Sequence, residues 1–266
     1  MLELNKIYCG DCLEVMKEID DGGIDLTITS PPYDNLRNYD GFNFDFKNIA
    51  KELFRVTKEG GIVVWIVGDA TINGNETGTS FKQALYFKGI GFNLHDTMIY
   101  KKNGASYPDK VRYYQVFEYM FVLSKGMPKT INLLQDRKNK WTESWGDRST
   151  RDKSGELKKK GKLISGKEYG VRFNIWLYWT GAGYSTKDKI AFKHPAIFPE
   201  KLAEDHIISW SNENDIILDP MCGSGTTCKM AFKNNRKYIG IDISQSYVDI
   251  ANKRLTNTYY QEELIK

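Results

Sequence analysis

The segment Ile216-Ile217-Leu218-Asp219-Pro220-Met221-Cys222-Gly223-Ser224-Gly225-Thr226-Thr227 constrains this chain's fold more than any other. A short apolar run ends in an acid, passes through glycines at alternate positions, and opens a helical pattern that lasts to about Asn234. Strand, glycine turn and helix in that order predict a parallel sheet, whose neighbouring strands need crossover connections. The glycines let the backbone approach a ligand closely, and a helix start offers unpaired N–H groups. Tyr238-Ile239-Gly240-Ile241-Asp242 repeats the pattern of a strand ending in an acid. Asp242 lies 17 residues after Gly225, about the separation at which an acid meets ribose hydroxyls in nucleotide-binding folds. A carboxylate suited to an ammonium group (Asp219) and another suited to ribose (Asp242) fit S-adenosylmethionine better than a dinucleotide. Cys228 also stands where the dinucleotide fingerprint needs its third glycine.

The same alternation recurs upstream. Ile24 to Thr29 is a short β-branched run, and Ile49, Leu53 and Val56 recur at helical spacing before Gly60-Gly61 closes that helix. Ile62 to Val67 reads as a buried parallel strand, Thr79–Lys88 as a helix, and Asp96–Lys101 and Phe117–Leu123 as strands. The expectation is an α/β, doubly wound, mostly parallel sheet. Residues 125–190 break the pattern, so we expect one sheet domain in two halves, 1–124 and 191–266, with an insertion between. From Arg137 to Arg172 there are twelve Lys/Arg against five Asp/Glu, including Lys158-Lys159-Lys160. Since the whole chain nets +4, this excess is local and points to a polyanionic partner.

Composition narrows the class further. With 266 residues, 41% hydrophobic, a core is affordable, and four cysteines do not make a disulfide scaffold. No apolar run reaches the roughly 18 residues of a membrane span, and the N-terminus lacks a signal pattern, so we expect a cytoplasmic protein with reduced thiols. Cys9-Gly-Asp-Cys12 has half the spacing of a zinc site, but no second pair completes it and no metal is expected.

Thr29-Ser30-Pro31-Pro32-Tyr33 sits where a strand ends, at the edge where open parallel sheets place ligands. The exocyclic amine of adenine or cytosine is a poor nucleophile, because its lone pair is delocalised into the ring. Acceptors against its N–H bonds, such as the Ser30 hydroxyl and the Pro31 carbonyl, would free that lone pair. Pro32 stiffens the backbone, and Tyr33 offers a face on which an extruded base could stack.

With both motifs in view, the chain resembles the amino-group DNA methyltransferases of bacterial restriction–modification systems and phages. Ser30-Pro31-Pro32-Tyr33 matches the family's SPPY-type motif, and 219–227 matches its DPFxGSGTT-type motif with Met221-Cys222 in the middle. The order, catalytic motif first and cofactor motif last, resembles the circularly permuted β group. Gly10-Asp11-Cys12, Lys193-His194-Pro195 and Pro199-Glu200-Lys201-Leu202 are further matches, although His194–Pro199 departs from the usual HPTQKP form. The resemblance implies a Rossmann-like fold, S-adenosylmethionine as cofactor and double-stranded DNA as partner. It also implies base flipping, target recognition within 125–190, a homodimer and a companion restriction endonuclease. By position, Asp219, Pro220, Gly223, Gly225 and Thr226 would line the methionine end of the cofactor, Asp242 its ribose and Asp11 its adenine. Serine before Pro-Pro-Tyr favours N4 of cytosine over N6 of adenine in this family. Lys158, Lys159 and Lys160 would meet DNA phosphates. Two other classes stay open: a nicotinamide-dependent oxidoreductase, which leaves Ser-Pro-Pro-Tyr unexplained, and a DNA-binding module with an inactive site.

Overall fold

The computed structural model describes residues 2–32, 44–104, 110–140, 145–163 and 166–263. The chain divides into one unit of Met1–Asn132 with Asn174–Lys266 and another of Leu133–Phe173.

The first unit is built on β1 (Lys6–Cys9), β2 (Ile24–Thr29), β3 (Thr57–Val67), β4 (Asn93–Lys102), β5 (Phe117–Ser124), β6 (Ile175–Tyr178), β7 (Ile216–Asp219) and β8 (Lys237–Asp242). They form one sheet in the order β1-β8-β7-β2-β3-β5-β4-β6. β5 runs against both its neighbours, and the other pairings are parallel. The helices are α1 (Cys12–Met16), α2 (Phe46–Val56), α3 (Thr79–Gly89), α4 (Glu200–Trp210), α5 (Thr226–Lys233) and α6 (Gln245–Glu263). This is the doubly wound α/β architecture expected from the alternation of elements. No helix among the described residues is long and apolar enough to cross a membrane.

Burial explains the layering. On α2, Ile49, Ala50, Leu53 and Val56 are buried on one stripe, and the Asp45 carboxylate caps the helix start by accepting from Asn48 N at 3.2 Å. That stripe joins Val63, Trp65 and Val67 of β3, with Phe87 of α3 and Met16 of α1, in one apolar cluster. Ile62, Val64 and Ile66, which alternate with them, are equally buried, so β3 is covered on both faces.

Two differences from the sequence reading have physical reasons. Gly60-Gly61 lies inside β3 rather than closing α2. Thr57 already pairs with Ile24, and Leu26 pairs with Ile62, so 58–61 bulges from the ladder with Gly60 at φ +80° and its N–H bonded to Lys125 O at 2.6 Å. The separate unit is also narrower than 125–190, because Ile175–Tyr178 pairs in parallel with Ile99–Lys102 and belongs to the main sheet. Trp176 and Tyr178 turn inward there while Ile175 and Leu177 face out, the alternation of a strand.

The unit Leu133–Phe173 holds two antiparallel pairs, Trp145–Arg151 with Leu157–Leu163 and Arg137–Lys138 with Tyr169–Gly170. Within it Arg172 Nε donates to Asp136 Oδ1 at 3.0 Å, and Arg137 stacks over the Phe173 ring at 4.6 Å.

The inward stripe of α2 gives a direct test. Leu53→Ala should lower stability by about 2–5 kcal/mol in urea unfolding. Leu85→Ala, at a position 67% exposed on α3, should stay within about 0.5 kcal/mol of wild type.

Candidate active site

The sheet order makes β7 and β2 direct neighbours, and the chain leaves them in opposite directions. β2 continues through α2 to β3 on one side, while β7 continues through α5 to β8 on the other. Such a reversal opens a crevice at the carboxyl ends of the two strands. Both sequence motifs begin there.

A buried hydrogen bond ties them. Thr29 Oγ1 donates to Asp219 Oδ1 at 2.8 Å, joining residues 190 positions apart, and Thr227 Oγ1 donates to Ile28 O at 3.2 Å. Asp219 Oδ1 also accepts from Met221 N at 3.2 Å, which bends the chain into the glycine turn. The carboxyl group is 1% exposed. Burial, opposed by the hydrogen bonds from Thr227 and Thr29, pushes its pKa up to about 6. Asp219 is thus a buried group at the end of β7, held by Thr29 and by the backbone of the turn.

Above this bond lies a cleft of about 2300 Å³. Asp11, Ser30, Pro31, Pro32, Pro220, Gly223, Thr226 and Asp242 all line it, so the two motifs share one cavity. Asp219 and Gly225 lie beneath that surface, Tyr33 falls outside the described residues, and Lys158–Lys160 belong to the other unit.

The acids at the cleft are held by backbone N–H groups. Asp242 Oδ2 accepts from Gly223 N at 2.8 Å and Oδ1 from Ser244 N at 2.9 Å, while burial raises its pKa. Asp11 caps α1, accepting from Leu13 N at 2.7 Å, and Gly10 N bonds Asp242 O at 3.0 Å. The two acids thus sit at the ends of paired strands, β1 and β8.

The glycines are required for a reason the sequence did not disclose. Gly223 has φ +49°, and a Cβ there would lie 2.7 Å from His194 Nε2. Gly225 has φ +74°, and its Cβ would lie 2.7 Å from Ala251 Cβ. The turn is thus compressed by the protein's own side chains as well as being open to a ligand. His194 is in turn braced edge-on by Tyr247, with ring centroids 4.3 Å apart.

The sequence reading missed several groups. Asp69, just past β3, lines the cleft and holds the start of α3 by accepting from Ser80 N at 2.8 Å. Under the glycine turn, the buried Arg254 and Lys229 form an ion cluster with the partly buried Asp188 and Glu200. Only Glu200 fell within a recognised motif, and pairings across up to 66 residues leave no local pattern. Cys12 is a half-buried thiol whose pKa is pushed up to about 12, chiefly by burial and by the neighbouring Asp11 carboxylate.

The raised pKa of Asp219 fixes the sign of a pH effect. The folded carboxyl holds its proton more tightly than the unfolded one, whose pKa is 3.8. Its contribution to stability is therefore complete below about pH 4 and is lost as pH rises through 6. Asp219→Asn should remove that fall, flattening the dependence of the unfolding midpoint between pH 4 and 7; an unchanged profile would place the titration elsewhere.

A family model described as DNA methylase, for N6 and N4 methyltransferases, matches residues 24–253. The chain is 65% identical over 247 residues to the orphan methyltransferase M.BamHII of Bacillus amyloliquefaciens, spanning 91% of this chain and 92% of that one. In fold it is similar to the solved PvuII DNA methyltransferase, named cytosine-N4-specific, with a TM-score of 0.69 at 21% identity, covering 96% of this chain and 91% of that one. A complex of M1.HpyAVI with SAM gives 0.63 at 22% identity, covering 94% and 98%. With both motifs at one crevice and the family model spanning most of the sequence, the chain belongs to the N6/N4 DNA methylases, enzymes that methylate an exocyclic amino group of cytosine or adenine.

Proposed function

We propose that this chain transfers a methyl group from S-adenosylmethionine to N4 of a cytosine flipped out of double-stranded DNA. The bond from Thr29 to Asp219 carries the reading, because it sets Ser30 and the glycine turn at one cleft. S-adenosylmethionine supplies a methyl carbon made electrophilic by its sulfonium. The residues present suit it. Asp242 and Asp11 present carboxylates at adjacent strand ends, and Gly223 and Thr226 bring backbone and a helix start to the cavity. At about 2300 Å³ the cleft exceeds the roughly 300–1,000 Å³ of a small-molecule pocket, leaving room for a nucleotide beside the cofactor.

The chain's own chemistry lies in positioning. Pro31 and Pro32 lack N–H donors, so their stretch of backbone meets an amine with acceptors alone. The Ser30 hydroxyl and Pro31 carbonyl accept the two amine hydrogens, returning the lone pair to nitrogen for in-line attack. The methylated nitrogen is cationic and sheds its proton afterwards, so no strong base is needed; orientation supplies much of the rate. Tyr33 provides the stacking face. Asp219 is assigned to holding β2 and β7 together, as its burial and partners favour, and Gly225 to shaping the turn. Ser30, where the family's cytosine enzymes carry serine, supports N4 of cytosine over N6 of adenine.

The unit Leu133–Phe173 is proposed as the target-recognition region. It holds twelve Lys/Arg against six Asp/Glu, a net +6. Lys158 pairs with Asp152 at 2.8 Å, but that pair is exposed and readily exchanged for phosphate. The orphan status in the name of the 65%-identical relative favours a chain acting without a companion endonuclease.

Nucleosides from treated DNA, analysed by mass spectrometry, should contain N4-methylcytosine. N6-methyladenine would replace the target base, and no methylated nucleoside would overturn the reading. Ser30→Ala should lower kcat about 10- to 100-fold in tritium transfer, the loss of about 1–3 kcal/mol for one acceptor. Replacing Lys158, Lys159 and Lys160 by alanine should reduce the slope of log K against log salt by about 0.9 for each phosphate contact removed; an unaltered slope would exclude such contacts.

A further inference from the structure

We infer that Arg254 is a positioning residue for the cofactor, holding the glycine turn from beneath and linking it to the segment between Asp188 and Glu200, whose His194 packs on the turn. This rests on the S-adenosylmethionine reading above. The side chain is fully buried on α6. Its Nη1 donates to Ser224 O at 2.6 Å, to Ser224 Oγ at 3.2 Å and to Thr226 Oγ1 at 3.1 Å. Its Nε donates to Asp188 Oδ2 at 3.0 Å, and its Nη2 to Glu200 Oε1 at 2.7 Å.

Ser224 lies between two glycines held at positive φ, where the backbone has little preference of its own. The peptide that follows it is fixed at both ends. Its carbonyl oxygen sits on the guanidinium, and its N–H, on Gly225, bonds Cys222 O at 2.7 Å. Without Arg254 that buried carbonyl would have lost its charged partner, and the turn would sample other shapes.

The two carboxylates give the arrangement its second function. Asp188 and Glu200 flank a segment that also lines the cleft, including Phe192, Phe198 and the His194 that packs on Gly223. Because one rigid guanidinium spans both, the distance between turn and segment is set by a single planar group. Lys229 neutralises the same pair, bonding Asp188 at 2.7 Å and Glu200 at 2.8 Å, and among the described residues its ammonium makes no bond to the turn.

That difference provides the test. Binding of tritiated S-adenosylmethionine is measured by equilibrium dialysis without DNA, beside thermal melting and steady-state kinetics. Arg254→Lys keeps the charge but not the fork, and it should raise the cofactor Kd and KM tenfold or more with kcat within threefold. Lys229→Met should lower the melting temperature comparably while leaving the cofactor Kd within threefold. Equal cofactor affinity in Arg254→Lys and wild type overturns the inference, as does an equal loss of affinity in Lys229→Met. If Arg254→Lys does not fold, Glu200→Gln, which loosens one anchor of the fork, should raise Kd threefold or more, and no change there overturns it equally. Wild-type protein that retains no labelled cofactor would instead defeat the functional reading.

Discussion

The bond between Thr29 and Asp219 is the point on which the site depends. It joins the ends of two parallel strands whose crossovers diverge, and so it closes the floor of the crevice that this topology opens. Its energy is modest, as for any neutral hydroxyl on a carboxyl group. Its consequence is geometric. Ser30 follows Thr29 and Met221 follows Asp219 by two positions, so the direction of each motif's first residues is set by one contact. A carboxyl group with no exposure also carries a desolvation cost, visible in its raised pKa. That cost is tolerated where a contact has to be both short and specific.

The parallel core was legible because its signals are local. Ile62–Val67 reads as buried on both faces, the α2 stripe recurs at 3.6 residues, and an acid after an apolar run marks the ends of β7 and β8. The motifs' meeting was legible only through the fold they imply. β6 escaped notice because Ile175-Trp176-Leu177-Tyr178 is apolar throughout, so its alternation appears only when the exposed Ile175 and Leu177 are seen beside the buried Trp176 and Tyr178. α6 carries a weak apolar pattern because its buried face includes two polar residues, Arg254, satisfied by distant partners, and Thr258, which donates to the Arg254 carbonyl one turn earlier. Gly60-Gly61 looked like a helix stop, since a bulge and a cap use the same residue for the same positive φ.

The glycine turn shows how two constraints can act on one residue type. In the sequence, Gly223 and Gly225 explain themselves by the approach of a ligand. In the structure each also yields its Cβ space to a protein neighbour, His194 above and Ala251 behind. The turn therefore has a defined shape before any ligand arrives, and that preorganisation lowers the ordering cost of binding. Asp242 adds to it by accepting from Gly223 N, so the acid at the end of β8 is oriented by the turn it helps to fix.

Charge is distributed in keeping with this division of labour. The unit Leu133–Phe173 holds +6 of the chain's +4, which leaves −2 on the sheet-bearing unit. In that unit Arg254 and Lys229 are buried and balanced by Asp188 and Glu200. A buried, neutral cluster adds little to the external field, whereas exposed lysines act at a distance. The excess positive charge thus lies in one unit, and the groups that shape the cleft lie in the other. A chain built this way can alter the sequence of its basic unit without disturbing the bonds that set the turn, because among the described residues none of the groups that fix Arg254, Asp219 or Asp242 comes from residues 133–173.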